Sequence, residues 1–185
     1  MVQTCTSLPA CSDEGFFSMR SLRSLVKDLT LDDFLNGRPS AVLHVVDIKV
    51  GAASGNPDAT MQPGLQLRAL MNPARSAFRY LDEVAPLVRR AEHGTGPGLV
   101  SLGRDRANDI VLSVESVSHA HAHFSSDGER WLLTDGGSKN GTTLNGVALA
   151  KGASTVLCSG DRILFGGEVG VVFLTPEALY EKARI

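Results

Sequence analysis

Ser116–Phe124 reads SVSHAHAHF, with His119, His121 and His123 at alternate positions. Alternate side chains of a strand leave one face, and His-x-His on a strand is one way to hold a transition metal. The stretch therefore poses a choice between a metal site on β-structure and a β-scaffold whose histidines do other work. Same-face neighbours on a strand stand roughly 6.5–7 Å apart, so three such imidazoles cannot converge on one ion. A further ligand would have to come from elsewhere. Glu129 lies too far along, no histidine follows His123, and the remaining two, His44 and His93, lie well upstream of this stretch. No metal is expected.

Around this stretch the chain has the texture of many short strands. From about Leu81 the runs APLVRRAE, GLVSLG, DIVL, HAHFSS, RWLLTD, TTLNG, STVLCSG, RILFGG and VGVVFL follow one another, separated by Gly, Asn and Asp turns. Such spacing predicts a β-sandwich or barrel. TPEALYEKAR then predicts a closing helix, with Thr175 as N-cap and Pro176 at its first position.

Further upstream the signals thin out. Leu22, Leu25, Val26 and Leu29 form one stripe of a short helix. Thr30 with Asp33 resembles a capping box ahead of helical turns at Leu31–Leu35, which stop at Asn36-Gly37. Ala41–Val50 reads as a strand, residues 51–64 as a loop, and LQLRALM fits either strand or helix. Residues 1–18 show no periodicity and are expected to be disordered. The division expected is 1–18 as a free N-terminus, 19–80 as an α/β extension, 81–175 as the β-domain and 176–185 as the C-terminal helix.

Composition narrows the classes. With 43% hydrophobic and 21% charged residues, a packed core is expected. A net charge of −2 argues against a general nucleic-acid binder. Cys5, Cys11 and Cys158 are odd in number and lack metal-like spacing, which fits a reducing compartment. No apolar run reaches the ~20 residues of a membrane span, and Leu8-Pro9-Ala10-Cys11 lacks the apolar run a lipoprotein signal needs. A cytoplasmic protein without a membrane or nucleic-acid partner is the expectation. There is no Walker loop, no Gly-x-Ser-x-Gly and no His-Glu-x-x-His, so no enzyme is predicted and no cofactor is implied.

The motifs flanking the histidines are more specific. LGRDRANDIVL (102–112), Val117-Ser118-x-x-His121-Ala122, DGGSKNGTTLNG (135–146) and GDRILFG (160–166) stand in a set order. Together they resemble the forkhead-associated (FHA) domain: Gly-Arg, Asn-Asp-Ile, Val-Ser-x-x-His-Ala, Ser-x-Asn-Gly-Thr, Asn-Gly and Gly-Asp-x-Ile-x-Phe-Gly. The resemblance implies an eleven-stranded β-sandwich whose loops at one end bind phosphothreonine in an extended segment of a partner. Phosphothreonine would be preferred to phosphoserine, because a small pocket receives the γ-methyl group. Implied partners are a phosphothreonine-containing protein or peptide and a Ser/Thr kinase or its substrates. Assembly that ignores phosphorylation is the competing use of such a fold.

The residue chemistry agrees with that expectation. A phosphate monoester carries about −1.5 to −2 charge and three acceptor oxygens, so its reader needs a fixed cation and several donors on rigidly held loops. Arg104 supplies a guanidinium fork and Ser118 a hydroxyl. By similarity these two bind phosphate, helped by His119 and Lys139, while Asn140 holds the peptide backbone. Gly103 and Gly141 support the loops, and Asn145 braces them or is only a hairpin-turn residue. His121 is architectural by the same resemblance, its ring tying the Gly-Arg loop to the Ser loop. His123 follows on that face. His119 departs from the Arg common at its position, and its ring faces either the phosphate or solvent. Thr4 and Thr6 in the N-terminus, if phosphorylated, could be captured by the domain itself.

Overall fold

The computed structural model describes residues 9–36, 40–48, 78–89 and 98–185. His93, Cys5, Thr4, Thr6, the 51–64 segment and LQLRALM fall outside them. Alternation of apolar residues builds two packed sheets. The larger runs β1 (Phe17–Ser18), β3 (Glu83–Pro86), β2 (Val42–Ile48), β12 (Val169–Leu174), β11 (Arg162–Phe165), β8 (Thr142–Leu144) and β9 (Val147–Ala148) in spatial order. The smaller runs β10 (Ser154–Leu157), β7 (Trp131–Asp135), β6 (Ala122–Ser126), β4 (Leu99–Gly103) and β5 (Ile110–Val111). Among the described residues only β4–β5 is a parallel pair. Leu43, Val45, Val171 and Phe173 of the larger sheet meet Val100, Leu102, Phe124 and Leu133 of the smaller in one buried core. The fold is mainly β, a sandwich of two sheets with few helices, as the sequence predicts.

The outer face of the larger sheet carries a second apolar layer. Helices α1 (Met19–Val26), α2 (Leu31–Leu35) and α3 (Pro176–Arg184) bring Leu22, Val26, Phe34 and Leu179 against Val42, Val84 and Leu174. Strand period explains the division of labour, since Val42 faces the helices and Leu43 the sandwich. Thr30 caps α2 as expected, accepting from the Asp33 N–H at 3.2 Å. Thr175 occupies the N-cap position of α3, but its side chain makes no capping bond.

Two expectations about the N-terminal part need correction. Residues 9–18 are placed, not disordered: Phe16 and Phe17 are buried, and Phe17–Ser18 pairs with Glu83–Val84. Local periodicity could not reveal this, because two residues of strand carry no pattern. Nor does a boundary at residue 81 divide the fold. β2 sits between β3 and β12 in the larger sheet, so residues 41–48 are part of the sandwich.

Candidate recognition loops

Three connections gather at one end of the sandwich: residues 104–109 after β4, 112–121 before β6 and 136–141 between β7 and β8. The first two are stitched by main-chain bonds. The Arg104 N–H donates to the Ser118 carbonyl (2.8 Å), the Asp105 N–H to the His119 carbonyl (3.1 Å), and the His121 N–H to the Leu102 carbonyl (2.9 Å). Asn108 adds its side-chain amide to the His119 carbonyl at 2.7 Å. Approach is so close that a Cβ on Gly103 would lie 2.2 Å from the His119 carbonyl oxygen. Glycine is required there by contact, not by φ.

The third loop is built around a carboxylate. Asp135, fully buried, accepts from the Gly137 and Ser138 N–H groups (2.9 and 2.8 Å) and from the Ser138 and Thr142 hydroxyls (both 2.7 Å). Burial alone would push its carboxyl up. The bonds from Thr142, Ser138 and Gly137 outweigh that and hold it below the usual carboxylate range. Ser138 in turn accepts from the Gly141 N–H at 3.0 Å. Gly141 has φ +79°, the left-handed region that favours glycine.

His121 locks this loop to its neighbour. Its Nδ1 accepts from the Ser118 N–H at 3.0 Å and its Nε2–H donates to the Gly141 carbonyl at 3.2 Å. The ring is 0% exposed and stands edge-on to Phe165. Burial lowers its pKa, against smaller opposing effects of Asp135 and the Gly141 carbonyl. The sequence reading has this ring tie the Gly-Arg loop to the Ser loop; here the ring joins the Ser118 loop to the Gly141 loop, and only the His121 main chain reaches β4. Two further bonds tie the same pair of loops. The Lys139 N–H donates to Ser118 Oγ (2.9 Å), and the Asn140 amide to the Ser116 carbonyl (2.8 Å).

This framework brings Arg104, Ser118, His119, Lys139 and Asn140 together at one surface. Ser118 Oγ accepts from Lys139, leaving its own proton to donate. One guanidinium nitrogen of Arg104 lies 3.1 Å from His119 Nε2, while its Nε is buried without a partner among the described residues. Asp105 approaches His119 Nδ1 at 3.6 Å, and the Ala107 N–H bond to its carboxylate lowers its pKa. The Lys139 and His119 side chains are exposed.

Not every expected residue joins them. Asn145 lies past the far end of β8, about 13 Å of strand from Gly141. There it bonds Asp161 Oδ1 (2.8 Å) and the Arg162 N–H (2.9 Å), with φ +51°. It braces the β10–β11 turn, not these loops. The histidine alternation also breaks. Ala122 and Phe124 turn into the core and leave His123 half-buried on the other face, while His121, just before the strand begins, is buried too. Among the described residues no three His, Cys, Asp or Glu side chains are grouped to hold a metal ion.

Sequence reasoning missed the support from behind. The Val111 N–H donates to the Glu14 carbonyl, the Glu14 carboxylate accepts from Ser113 and Arg79, and Tyr80 Oη accepts from the Ser113 N–H at 3.0 Å. No local pattern marks Glu14 or Tyr80. Asp135 was findable, because Asp-Gly-Gly-Ser is a sequence in which a carboxylate caps its own turn.

The family model for the FHA domain matches residues 100–166. The glycogen accumulation regulator GarA of Mycolicibacterium smegmatis is 39% identical over 75 residues, 40% of this chain and 45% of that protein. An FHA domain-containing protein of Arabidopsis thaliana is 39% identical over 61 residues, 33% of this chain and 16% of that one. The chain thus spans less than half the length of either relative. Among solved structures, the FHA domain of an Arabidopsis thaliana hypothetical protein has 24% identity and a TM-score of 0.48, covering 75% of this chain and 86% of that chain.

Proposed function

With residues 100–166 matching the FHA domain, we propose that the chain is a phosphothreonine-dependent protein-binding module acting in Ser/Thr kinase signalling or scaffolding. Its partner is a protein phosphorylated by such a kinase, and its own role is binding without catalysis, in the cytoplasm. The observation that carries this reading is the placement of Arg104 and Ser118. A guanidinium whose buried Nε has no partner among the described residues, and a hydroxyl free to donate, stand on two loops stitched together by main-chain bonds. Phosphate oxygens accept best from such fixed, charge-assisted donors. Lys139 adds charge from the third loop, and Asn140 can engage the peptide main chain through its amide oxygen.

The phosphopeptide domain in this reading is not residues 81–175 alone, since β2 completes the larger sheet. Among the described residues no helix is long and apolar enough to cross a membrane. The test is a phosphothreonine peptide library screened against the full chain, followed by titration of one selected peptide in three forms: phosphothreonine, phosphoserine and unmodified threonine. Binding in that order supports the reading. Equal binding of the unmodified peptide replaces it with phosphorylation-independent assembly.

A further inference from the structure

Arg104, His119 and Asp105 stand in a row, and the chemistry of the row constrains each member. A guanidinium has donors only. The 3.1 Å contact between Arg104 and His119 Nε2 therefore requires Nε2 to accept, which places the proton of the neutral ring on Nδ1. That N–H faces the Asp105 carboxylate at 3.6 Å. Asp105 is itself held in place, its carboxylate by the Ala107 N–H at 3.0 Å and its main chain by His119 and Asn108. A carboxylate thus orients a ring, and the ring holds the cation assigned to phosphate.

Resting on the phosphothreonine reading of this site, we infer that Asp105 and His119 form a positioning pair for Arg104, and that His119 takes up a proton when phosphate arrives. In the free protein the ring is an acceptor that steadies the guanidinium. A phosphate oxygen is the stronger acceptor for Arg104. Once it takes that place, a bare Nε2 lone pair beside an anion is repulsive, whereas an Nε2–H would be a second donor to it. The groups in contact with the ring are Arg104, which opposes the proton, and Asp105, which favours it; Lys139 on the facing loop and Arg106 on the 104–109 loop are further exposed cations. The incoming dianion tips that balance toward the imidazolium. Atoms balance simply: the proton comes from solvent, and Nδ1–H stays directed at Asp105. Asp105 is a positioning residue in this scheme because it does not touch the ligand.

The experiment uses the full chain and a phosphothreonine peptide at pH 7.5. Calorimetric titrations in HEPES and in Tris, which differ in ionisation enthalpy, give the protons taken up per peptide. Wild type should take up a fraction of a proton more than His119→Arg, in which the charge is permanent; the phosphate's own titration cancels between them. Asp105→Asn should reduce the uptake and weaken binding about two- to fivefold, the scale of an exposed ion pair. Equal uptake by wild type and His119→Arg overturns the inference while leaving the phosphothreonine reading intact. Unchanged uptake and affinity in Asp105→Asn removes Asp105 from it. Imidazole nitrogen shifts of the free protein must show the Nδ1–H tautomer at His119, and an Nε2–H tautomer sinks the scheme without any peptide. If no phosphothreonine peptide binds a folded wild type, the functional reading fails first and takes this one with it.

Discussion

The candidate recognition loops and the helical layer are held by different physics, and two buried histidines show it. His121 has both ring nitrogens bonded, each to a different segment of loop. His44, on the helix-facing side of β2, bonds Asp82 through Nε2 at 2.9 Å but leaves Nδ1 buried without a partner among the described residues. At the loop end polar atoms specify the shape, and a ring serves as a two-pronged connector. Beneath the helices apolar burial by Leu22, Phe34 and Leu179 dominates, so one unpaired nitrogen is tolerated. Loops without a regular ladder need side-chain bonds to have one shape; a helix on a sheet needs mainly a matching apolar face.

That contrast can be broken most forcefully at Asp135. Asp135→Ala strands four donors, three of them buried on Ser138 and Thr142, so roughly 3–5 kcal/mol of stability should go, and peptide affinity should fall with it as the 136–141 loop loses its shape. Denaturant melts paired with titration at a temperature where the variant is folded would check both. A variant with normal affinity would mean the loop does not depend on its carboxylate.

Leu22→Ala probes the other region. Removing this fully buried side chain from the helical layer should cost about 3 kcal/mol through lost burial and a cavity, with affinity untouched at temperatures where the protein is folded. A parallel loss of affinity would show that the two regions are coupled, and the contrast would have to be redrawn.

Arg104→Ala should do the reverse. Losing a charge-assisted donor costs about 1.5–3 kcal/mol, or about tenfold to a hundredfold in affinity, while the melting temperature stays near wild type. Unchanged affinity for the phosphothreonine peptide would move the site elsewhere.

Tyr80→Phe tests the support behind the loops. Its hydroxyl accepts from the Ser113 N–H and from Arg79, and its loss should cost about 1 kcal/mol. Faster hydrogen exchange at Ser113 would place the effect in that contact; none would make the hydroxyl irrelevant there.

Acid should act on both regions in the same direction. Burial lowers the pKa of His44 and of His121 below the ordinary 6.5. The unfolded chain then binds the proton first as pH falls, so this contribution is complete above pH 6.5 and is lost progressively below it. Melting temperatures from pH 7.5 to 5.5 should decline, and less steeply in His44→Gln and His121→Gln than in wild type. A rise on acidification that vanishes in His44→Gln would mean that Asp82 outweighs burial at His44.

Several features were legible because they are local. The cap at Thr30, the apolar stripe of α1 and Pro176 at the start of α3 are written in neighbouring residues and occur where expected. The loop motifs around Arg104, Ser118 and Asn140 were legible for a different reason: each needs a specific residue type at a tight turn or close contact, as at Gly103 and Gly141. The period-2 reading of the three histidines failed because His121 precedes the strand it was assigned to. Alternation holds only inside regular extended backbone.

The sequence by itself determined the alternation that makes two apolar faces, the turn residues that cut the strands short, and the polar residues those turns would carry. These follow from propensity and period over a few residues. Only the tertiary structure decided that Phe17–Ser18 and Val42–Ile48 complete the larger sheet, that Asn145 braces the far end of β8, and that Glu14 and Tyr80 stand behind Ser113. Each is a contact across large sequence separation, between groups with no local preference for one another. Their placement follows from which surfaces remain to be covered once the sheets have packed.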